Sequence, residues 1–196
     1  MITPIFRVSY PNVFVARKND LSGKDEFSLV ALFKKGEDIT ALQAEVLRAA
    51  KEKWGEGIIA KTTQGTHTFQ PVGKAAFSIR LPFRDQGERA SSEKGMPAGY
   101  EAGAMFINLK SNQRPGLVDA KRQDIIEASD FYAGCYAKAA VNAYAYDKKG
   151  NKGVSLGLQA LQKVKDGDPL GNLIDPHTAF EAIEEVDTEA GAQSLF

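Results

Sequence analysis

The chain has 196 residues, a hydrophobic content of 43% and a formal net charge of zero at pH 7. This length suits one domain with elaborations, or one domain and a tail, with enough apolar residues for a core. No run approaches the roughly 20 apolar residues of a membrane helix, the N-terminus lacks a signal-peptide pattern, and a lone cysteine, Cys135, excludes an internal disulfide. These features predict a protein of the cytoplasm that does not contact a membrane.

Two strands are predicted near the N-terminus, over residues 5–16 and 27–34. The second strand, FSLVALFK, is apolar on both faces, which is typical of a central strand. A polar turn over residues 17–25 separates the two strands.

One main helix is predicted after Asp38, a residue type that often caps the N-terminus of a helix. Gly55 and Gly57 are predicted to end it. Apolar residues recur between these points at the spacing of one helical face: Ile39, Leu42, Val46, Ala50 and Trp54. This face needs no role beyond covering a core.

Alternating apolar and polar residues predict two further strands, over residues 77–84 and 104–111. In the first, Arg80 and Arg84 lie on the polar face. In the second, Phe106, Asn108 and Lys110 share the face opposite the apolar one. The glycine-rich segment 85–99 between the two strands is predicted as a loop.

The segment FYAGCYAKAAVNAYAY, residues 131–146, holds five aromatic residues in sixteen positions. Its alanines favour a helix, but at 3.6 residues per turn the tyrosines do not gather on one stripe. With the period of a strand, the odd positions are small and apolar, and the run ends in the turn sequence DKKGN. We therefore predict a strand with Gly134 as a bulge. Its even positions carry the polar and aromatic residues: Tyr132, Tyr136, Lys138, Asn142, Tyr144 and Tyr146.

A last strand is predicted over residues 153–158, and residues 159–165 are left ambiguous between helix and strand. Residues 175–196 carry six acidic residues and no lysine or arginine, so residues 1–174 carry a net charge of +6. We predict a folded domain over residues 1–174 and a disordered acidic tail over residues 175–196.

Because several strands accompany one main helix and long loops, the fold class is mainly β. A five-stranded OB-fold-like barrel is the obvious candidate, although composition alone does not select it.

Five segments resemble, in this order, a bacteriophage family of OB-fold single-stranded DNA-binding proteins that was long known only as a domain of unknown function. They are LPFRD (81–85), RPG (114–116), FYAGCY (131–136), NAYAYD (142–147) and GVSLGL (153–158). The resemblance spans most of residues 5–171 and implies the OB-fold and a place in phage DNA replication or recombination, in the cytoplasm of a bacterial host. The acidic tail looks like those of phage replicative single-strand binders, which recruit enzymes such as polymerase or helicase and compete with DNA for the groove.

A tyrosine-rich face with lysines suits single-stranded DNA, because rings stack on bases while cations meet phosphates. The alternative is that one or two of the rings are core residues. The predicted stacking residues are Tyr132, Tyr136, Tyr144, Tyr146 and Phe106. The predicted phosphate contacts are Lys138, Lys110, Arg80, Arg84, Lys148, Lys149 and Lys152.

In the tail, the carboxylates can imitate phosphates, and the terminal phenylalanine can imitate a base. The alternative is a tail that only aids solubility. The predicted partner-binding residues of the tail are Glu184, Glu185, Asp187, Glu189 and Phe196.

The sequence offers little support for an enzyme. Its two histidines are far apart, Cys135 has no neighbouring cysteine for zinc, and no phosphate loop is present. Three carboxylates of one loop could hold magnesium, but the basic residues of that loop favour a solvated mixed-charge surface: Asp85, Glu88 and Glu93. We predict a non-enzymatic protein without metal or cofactor. The alternatives are an adaptor that binds a protein partner through the aromatic face and, more distantly, a nuclease. The oligomeric state is left open, with a homodimer as one option.

Overall fold

The computed structural model describes residues 1–19, 23–61, 67–91, 93–148 and 150–171, which form ten strands and one α-helix. The predicted acidic tail and Lys149 lie outside these residues. The helix is α1 (Thr40–Trp54). The strands are β1 (Phe6–Lys18), β2 (Asp25–Leu32), β3 (Gly57–Lys61), β4 (His67–Pro71), β5 (Phe77–Ile79), β6 (Arg84–Asp85), β7 (Met105–Ser111), β8 (Gly116–Val118), β9 (Tyr136–Lys148) and β10 (Asn151–Lys165).

The larger sheet has seven strands in the order β6-β7-β2-β1-β9-β10-β8. Strand β7 also pairs in parallel with β10, where Lys110 lies opposite Gly157. Following the pairings from β1 to β2, β7, β10 and β9 leads back to β1, so the pairings of these five strands form a closed ring. Strands β3, β4 and β5 form a separate antiparallel sheet, which joins β10 through a bridge between Arg80 and Gly153.

The core lies on the inner faces of the five strands whose pairings close. Its side chains come from every one of those strands and include Phe6, Val8, Leu29, Ile107, Leu109, Val141 and Leu156, each at most 1% exposed. Helix α1 adds Leu42, Val46, Ala49 and Ala50 to the same cluster. At its C-terminal end, Trp54 packs on Phe69 and Phe77 of the small sheet, with ring centroids 5.4–5.7 Å apart. The helix therefore has the covering role that its apolar face predicts.

The mainly β fold with one α-helix is confirmed for the described residues, and the strands predicted at 5–16, 27–34, 104–111 and 153–158 are present with shifted ends. The ambiguous residues 159–165 continue strand β10. The strand predicted over residues 77–84 is wrong as one element: β5 pairs with β4, whereas β6 pairs with β7. Pro82 lies between them, and a proline lacks the N–H that a continuous strand would use. Strands β3, β4 and β8 were not predicted.

Two predicted local features differ in detail. Helix α1 begins one residue later than an Asp38 cap requires, and the Asp38 carboxylate accepts a hydrogen bond of 2.9 Å from the Thr40 N–H. Hydrogen bonding to the Thr40 side chain, and then to its backbone N–H, lowers the pKa of Asp38. Gly134 lies before strand β9 and not within it. Its φ of +118° favours glycine, and its N–H donates to the Val8 carbonyl at 2.8 Å.

Candidate nucleic-acid interface

The outer face of strand β9 carries most of the predicted stacking residues. The inner face is buried, with Ala137, Ala139 and Val141 at most 1% exposed. On the outer face, Tyr146 lies opposite Gly153 of strand β10. A Cβ atom on Gly153 would lie 2.5 Å from the Tyr146 hydroxyl oxygen. The glycine therefore leaves the space over β10 that the tyrosine ring occupies.

Tyr144 is the exposed ring of this face. Its side chain is 46% exposed, and its Cε1 atom would lie 3.5 Å from a Cβ atom on Gly157. The Asn142 carboxamide oxygen would lie 2.6 Å from the same position. Tyr144 and Asn142 thus lie over a second glycine of β10, next to Lys110 across the β7–β10 pairing. A base can reach the Tyr144 ring from solvent.

Tyr132 and Tyr136 lie at the other end of this segment and contact the chain's last described residues. The Tyr132 hydroxyl donates to the Asp166 carboxylate and the Gly167 carbonyl, both at 3.0 Å. Lys163 lies 5.4 Å from the Tyr132 ring centroid. Burial raises the pKa of Tyr132, and hydrogen bonds from Lys163 and Tyr132 lower that of Asp166. Tyr132 also packs against the core, so its contacts join residues 166–167 to the core.

Tyr136 is half-buried, with Lys165 at 4.8 Å from its ring centroid. It lines a cavity of about 540 Å³ with several basic residues, which are Arg7, Lys34, Lys138 and Lys165. Tyr136 and Tyr144 are eight residues apart in one strand, which corresponds to about 27 Å. The predicted residues of β9 therefore form two groups and not one continuous platform.

Phe106 requires a correction. The strand period places it on the outer face with Asn108 and Lys110, as predicted, but its side chain is 0% exposed. Tyr100 packs edge-to-face on it at 6.4 Å, and the same small cluster contains Val30, Leu32 and Leu170. The ring is covered by these neighbours, so no face of it is open to a base in this structure.

Two arginines lie over the buried Phe106 ring. The guanidinium carbons of Arg84 and Arg89 are 5.2 and 4.9 Å from its centroid. Arg84 belongs to strand β6, and Arg89 is the last residue of a 3₁₀ turn at residues 86–89 that Asp85 and Glu88 cap reciprocally. Glu88 also pairs with Arg84 at 2.6 Å. These two carboxylates therefore order the arginines.

Arg89, which was not among the predicted contacts, lies 3.5 Å from the Asn108 side-chain oxygen. Lys110 follows on the same face and is paired with Glu26. Arg89, Asn108 and Lys110 therefore form a polar strip along the outer face of β7. The sequence places Asn108 and Lys110 together, but only the folded 86–89 turn brings Arg89 to them.

The remaining predicted basic residues lie near the β9–β10 turn. Arg80 has an exposed side chain, and its backbone pairs with β10 through its N–H to the Lys152 carbonyl at 3.0 Å. Lys152 lies 4.3 Å from the Phe77 ring centroid and 3.8 Å from Asp147. Lys148 is exposed at the end of β9. A groove of about 630 Å³ contains three of the basic residues of this region, Arg80, Arg84 and Lys152.

Within the described ranges, no group of three or more histidine, cysteine, aspartate or glutamate side chains is placed to hold a metal ion. No helix of the described chain is long and apolar enough to cross a membrane. Cys135 is fully buried, and burial raises the pKa of its thiol.

Residues 1–191 match the family model described as Enterobacter phage Enc34, ssDNA-binding protein. The chain belongs to this family of phage proteins. It is 29% identical over 168 residues to protein p50 of Acyrthosiphon pisum secondary endosymbiont phage 1, covering 83% of this chain and 81% of p50.

Solved structures of the phage Enc34 protein share the fold. The single-stranded DNA-binding protein of bacteriophage Enc34, in a C-terminally truncated form, is 17% identical with a TM-score of 0.62, covering 86% of this chain and 87% of that one. The same phage protein in complex with ssDNA gives a TM-score of 0.60 at 17% identity, covering 87% and 88% of the two chains.

Proposed function

We propose that this chain binds single-stranded DNA without sequence preference and without catalysis, in phage DNA replication or recombination in the host cytoplasm. The observation that carries the proposal is Tyr144, an exposed ring set over a glycine of β10 beside Asn142 and Lys110. A half-exposed tyrosine among amide and cationic groups suits bases and phosphates together. Family membership supports the same conclusion.

The proposed fold is an OB-fold. Its support is the closed order β1-β2-β7-β10-β9, in which the β7–β10 pairing is parallel and β9–β10, β9–β1, β1–β2 and β2–β7 are antiparallel. Five strands closed in this way are the frame on which OB-folds bind oligonucleotides. The outer face of β2 and β7 then lies next to Tyr144 through the parallel pairing.

The proposed mechanism combines stacking with phosphate contacts. Each stacked base contributes about 1–3 kcal/mol and tolerates any sequence, because every base has a flat face. The proposed phosphate contacts on the strands around Tyr144 are Arg84 of β6, Lys110 of β7 and Lys152 of β10. We add Arg89 to them because it lies beside Asn108 on the outer face of β7. On single strands each such contact adds about −0.7 to the slope of log affinity against log salt. Binding should therefore be strong at low salt and weaken steadily as salt rises.

The direct test is fluorescence anisotropy of a labelled oligothymidine, single-stranded and in a duplex, at two salt concentrations. We expect tight binding of the single strand that weakens with salt, and much weaker binding of the duplex. Absence of single-strand binding by both the full chain and a chain without residues 178–196 would contradict the proposal. That result would favour an adaptor that uses the same face for a protein partner.

We further propose that residues 175–196 compete with DNA and recruit replication enzymes when DNA displaces them. The last described residue, Gly171, lines a groove with Tyr10 and Arg17. The described chain therefore ends beside a basic residue of the folded domain. A tethered anionic segment acts at a high effective concentration, even when its own affinity is weak.

Deletion of residues 178–196 is expected to tighten DNA binding several-fold at low salt, and by less at high salt because salt screens the charges. A matched control keeps the tail length and replaces its five glutamate and aspartate residues between 181 and 189 by glutamine and asparagine. This neutral tail should behave like the deletion. Unchanged affinity of both variants at every salt concentration would leave the tail a solubilising role only.

A further inference from the structure

Tyr10 has a backbone conformation that its residue type rarely adopts. Its φ is +47°, and Arg122 is the one other non-glycine residue of the described chain with a positive φ. The pairing of β1 with β2 shifts register between Ser9 and Asn12, so Tyr10 and Pro11 form a bulge. Asparagine and glycine tolerate a positive φ, whereas a bulky side chain is strained there.

The strain at Tyr10 is not compensated by burial of its ring. The side chain is 60% exposed, although it interrupts a strand whose neighbouring residues Val8 and Ser9 are buried. A ring that contributed to the core would be covered. Strained residues that the fold does not need for packing are often found at functional sites.

The surroundings of Tyr10 suit one nucleotide. The groove beside the ring has a volume of about 470 Å³ and includes Asn12, Arg17 and Tyr100. The Tyr100 hydroxyl lies 3.4 Å from the Ser9 hydroxyl and forms a buried floor. Arg17 is exposed and supplies a positive charge. A flat ring, a cation and polar groups are the chemistry that recognises a base and its phosphate.

A row of paired residues connects Tyr10 with Tyr144 across the outer face. Asn12, next to the bulge, pairs with Ser28, and Ser28 pairs with Lys110. Lys110 pairs with Gly157, and Gly157 pairs with Asn142 beside Tyr144. Four strand spacings correspond to about 19 Å. Tyr10 and Tyr144 are the two exposed aromatic residues of the described chain, and this row joins them.

We propose that Tyr10 is a second base-stacking contact, with Arg17 at the adjacent phosphate, and that single-stranded DNA crosses β1, β2, β7 and β10 along this row to Tyr144. The inference rests on the proposed function and adds a path to it. On this path Lys110 lies midway between the two rings, and Arg89 borders it through Asn108.

The test compares Tyr10→Asn, Tyr10→Phe and Tyr144→Ala with the unsubstituted chain, using a labelled oligothymidine of 20 nucleotides. Asparagine removes the ring but suits the positive φ, so the melting temperature should stay the same or rise. We expect affinity to fall about 5- to 100-fold for Tyr10→Asn and to stay within about twofold for Tyr10→Phe, which keeps the stacking face. Val15→Ala, on the same strand and 74% exposed in the native chain, is the matched control and should bind normally.

Unchanged binding by Tyr10→Asn, with weakened binding by Tyr144→Ala, would overturn the Tyr10 contact and leave the proposed function standing. Failure of the unsubstituted chain to bind any single strand would contradict both the Tyr10 contact and the proposed function. A measurement without substitution uses oligothymidine carrying 5-iodouracil, photo-crosslinked and mapped by peptide mass spectrometry. Crosslinks at both Tyr10 and Tyr144 are expected, and crosslinks at Tyr144 without any at Tyr10 would contradict the path.

Discussion

Replacing Phe106 by alanine is expected to lower the free energy of unfolding by about 3–5 kcal/mol, the usual effect of truncating a fully buried phenylalanine. The ring is 0% exposed and lies in the cluster with Val30, Leu32 and Tyr100. Urea unfolding of both chains measures the difference as a shift of the midpoint at constant slope. A loss below about 1 kcal/mol, as at surface positions, would mean that the ring is not covered as described.

The milder substitution Phe106→Leu tests whether the ring holds the two arginines in place or stacks on DNA itself. Leucine keeps the position apolar, so the loss of stability should be about 1–2 kcal/mol. It removes the aromatic face over which Arg84 and Arg89 lie. Since each cation–π contact contributes about 0.5–1 kcal/mol at an exposed site, we expect DNA affinity to fall by about 2- to 10-fold through the arginines.

A double-mutant cycle distinguishes the two roles. In a chain that already carries Arg84→Ala and Arg89→Ala, the substitution Phe106→Leu should change affinity little, because the side chains it supports are gone. A ring that stacked on DNA itself would weaken binding equally in both backgrounds. Phe69→Leu is the matched control, since Phe69 is equally buried but packs on Trp54 and Phe77 in the small sheet. It should reduce stability without changing DNA affinity.

Phe106 also marks the limit of sequence-based reasoning for this chain. The two-residue period places it on the outer face with Asn108 and Lys110, and the pairings confirm that face. Tyr100, six positions before it, packs on the ring, and Leu170, 64 positions after it, packs against the same cluster. A local pattern reports which face a side chain occupies, but not which distant segment packs on that face. Tyr132 was assigned to stacking for the same reason, and its partner Asp166 is 34 residues away.

Features that depend on the two adjacent strands of one hairpin are easier to predict from sequence. The predicted DKKGN turn lies between NAYAYD and GVSLGL, and these two segments pair in the structure, with Tyr146 opposite Gly153 and Asn142 opposite Gly157. The two glycines, four residues apart, are thus a usable signal of rings that lie across β10. The strain at Tyr10 had no such signal, because it arises from a register shift between β1 and β2. The short strands β3 and β4 lack a clear alternation and were missed for that reason.

The second large effect is expected at Gly134. A Cβ atom there would overlap the Asp168 carbonyl oxygen and lie 2.9 Å from the Pro169 Cα atom. Both obstacles are backbone, so relief requires movement of the chain and not of a flexible side chain. The positive φ of +118° adds strain for any L-residue. Gly134→Ala should therefore lower the free energy of unfolding by roughly 2–5 kcal/mol.

Gly36→Ala is the matched control for this substitution. Gly36 also has a positive φ, +78°, but a Cβ atom on it would meet nothing within 4 Å. Gly36→Ala should lower the free energy of unfolding by about 1–2 kcal/mol, through the strained backbone conformation alone. Equal losses for the two variants in urea unfolding would show that residues 168–169 move aside freely, and would contradict the close packing described for them.

The Gly134 substitution also bears on the acidic segment. The close contact at Gly134 holds residues 166–170, which Arg7 and Ala133 bind through the Asp168 carbonyl at 2.7 Å and the Leu170 N–H at 2.8 Å. Displacement of these residues is expected to move Gly171, the last described residue, away from the groove of Tyr10 and Arg17. Because a longer or looser tether lowers effective concentration, deletion of residues 178–196 should tighten DNA binding less in Gly134→Ala than in the native chain. Anisotropy titrations of the four chains at low salt, below the melting temperature of each, measure this difference. An equal gain in both backgrounds would show that the tail competes with DNA independently of where it leaves the fold.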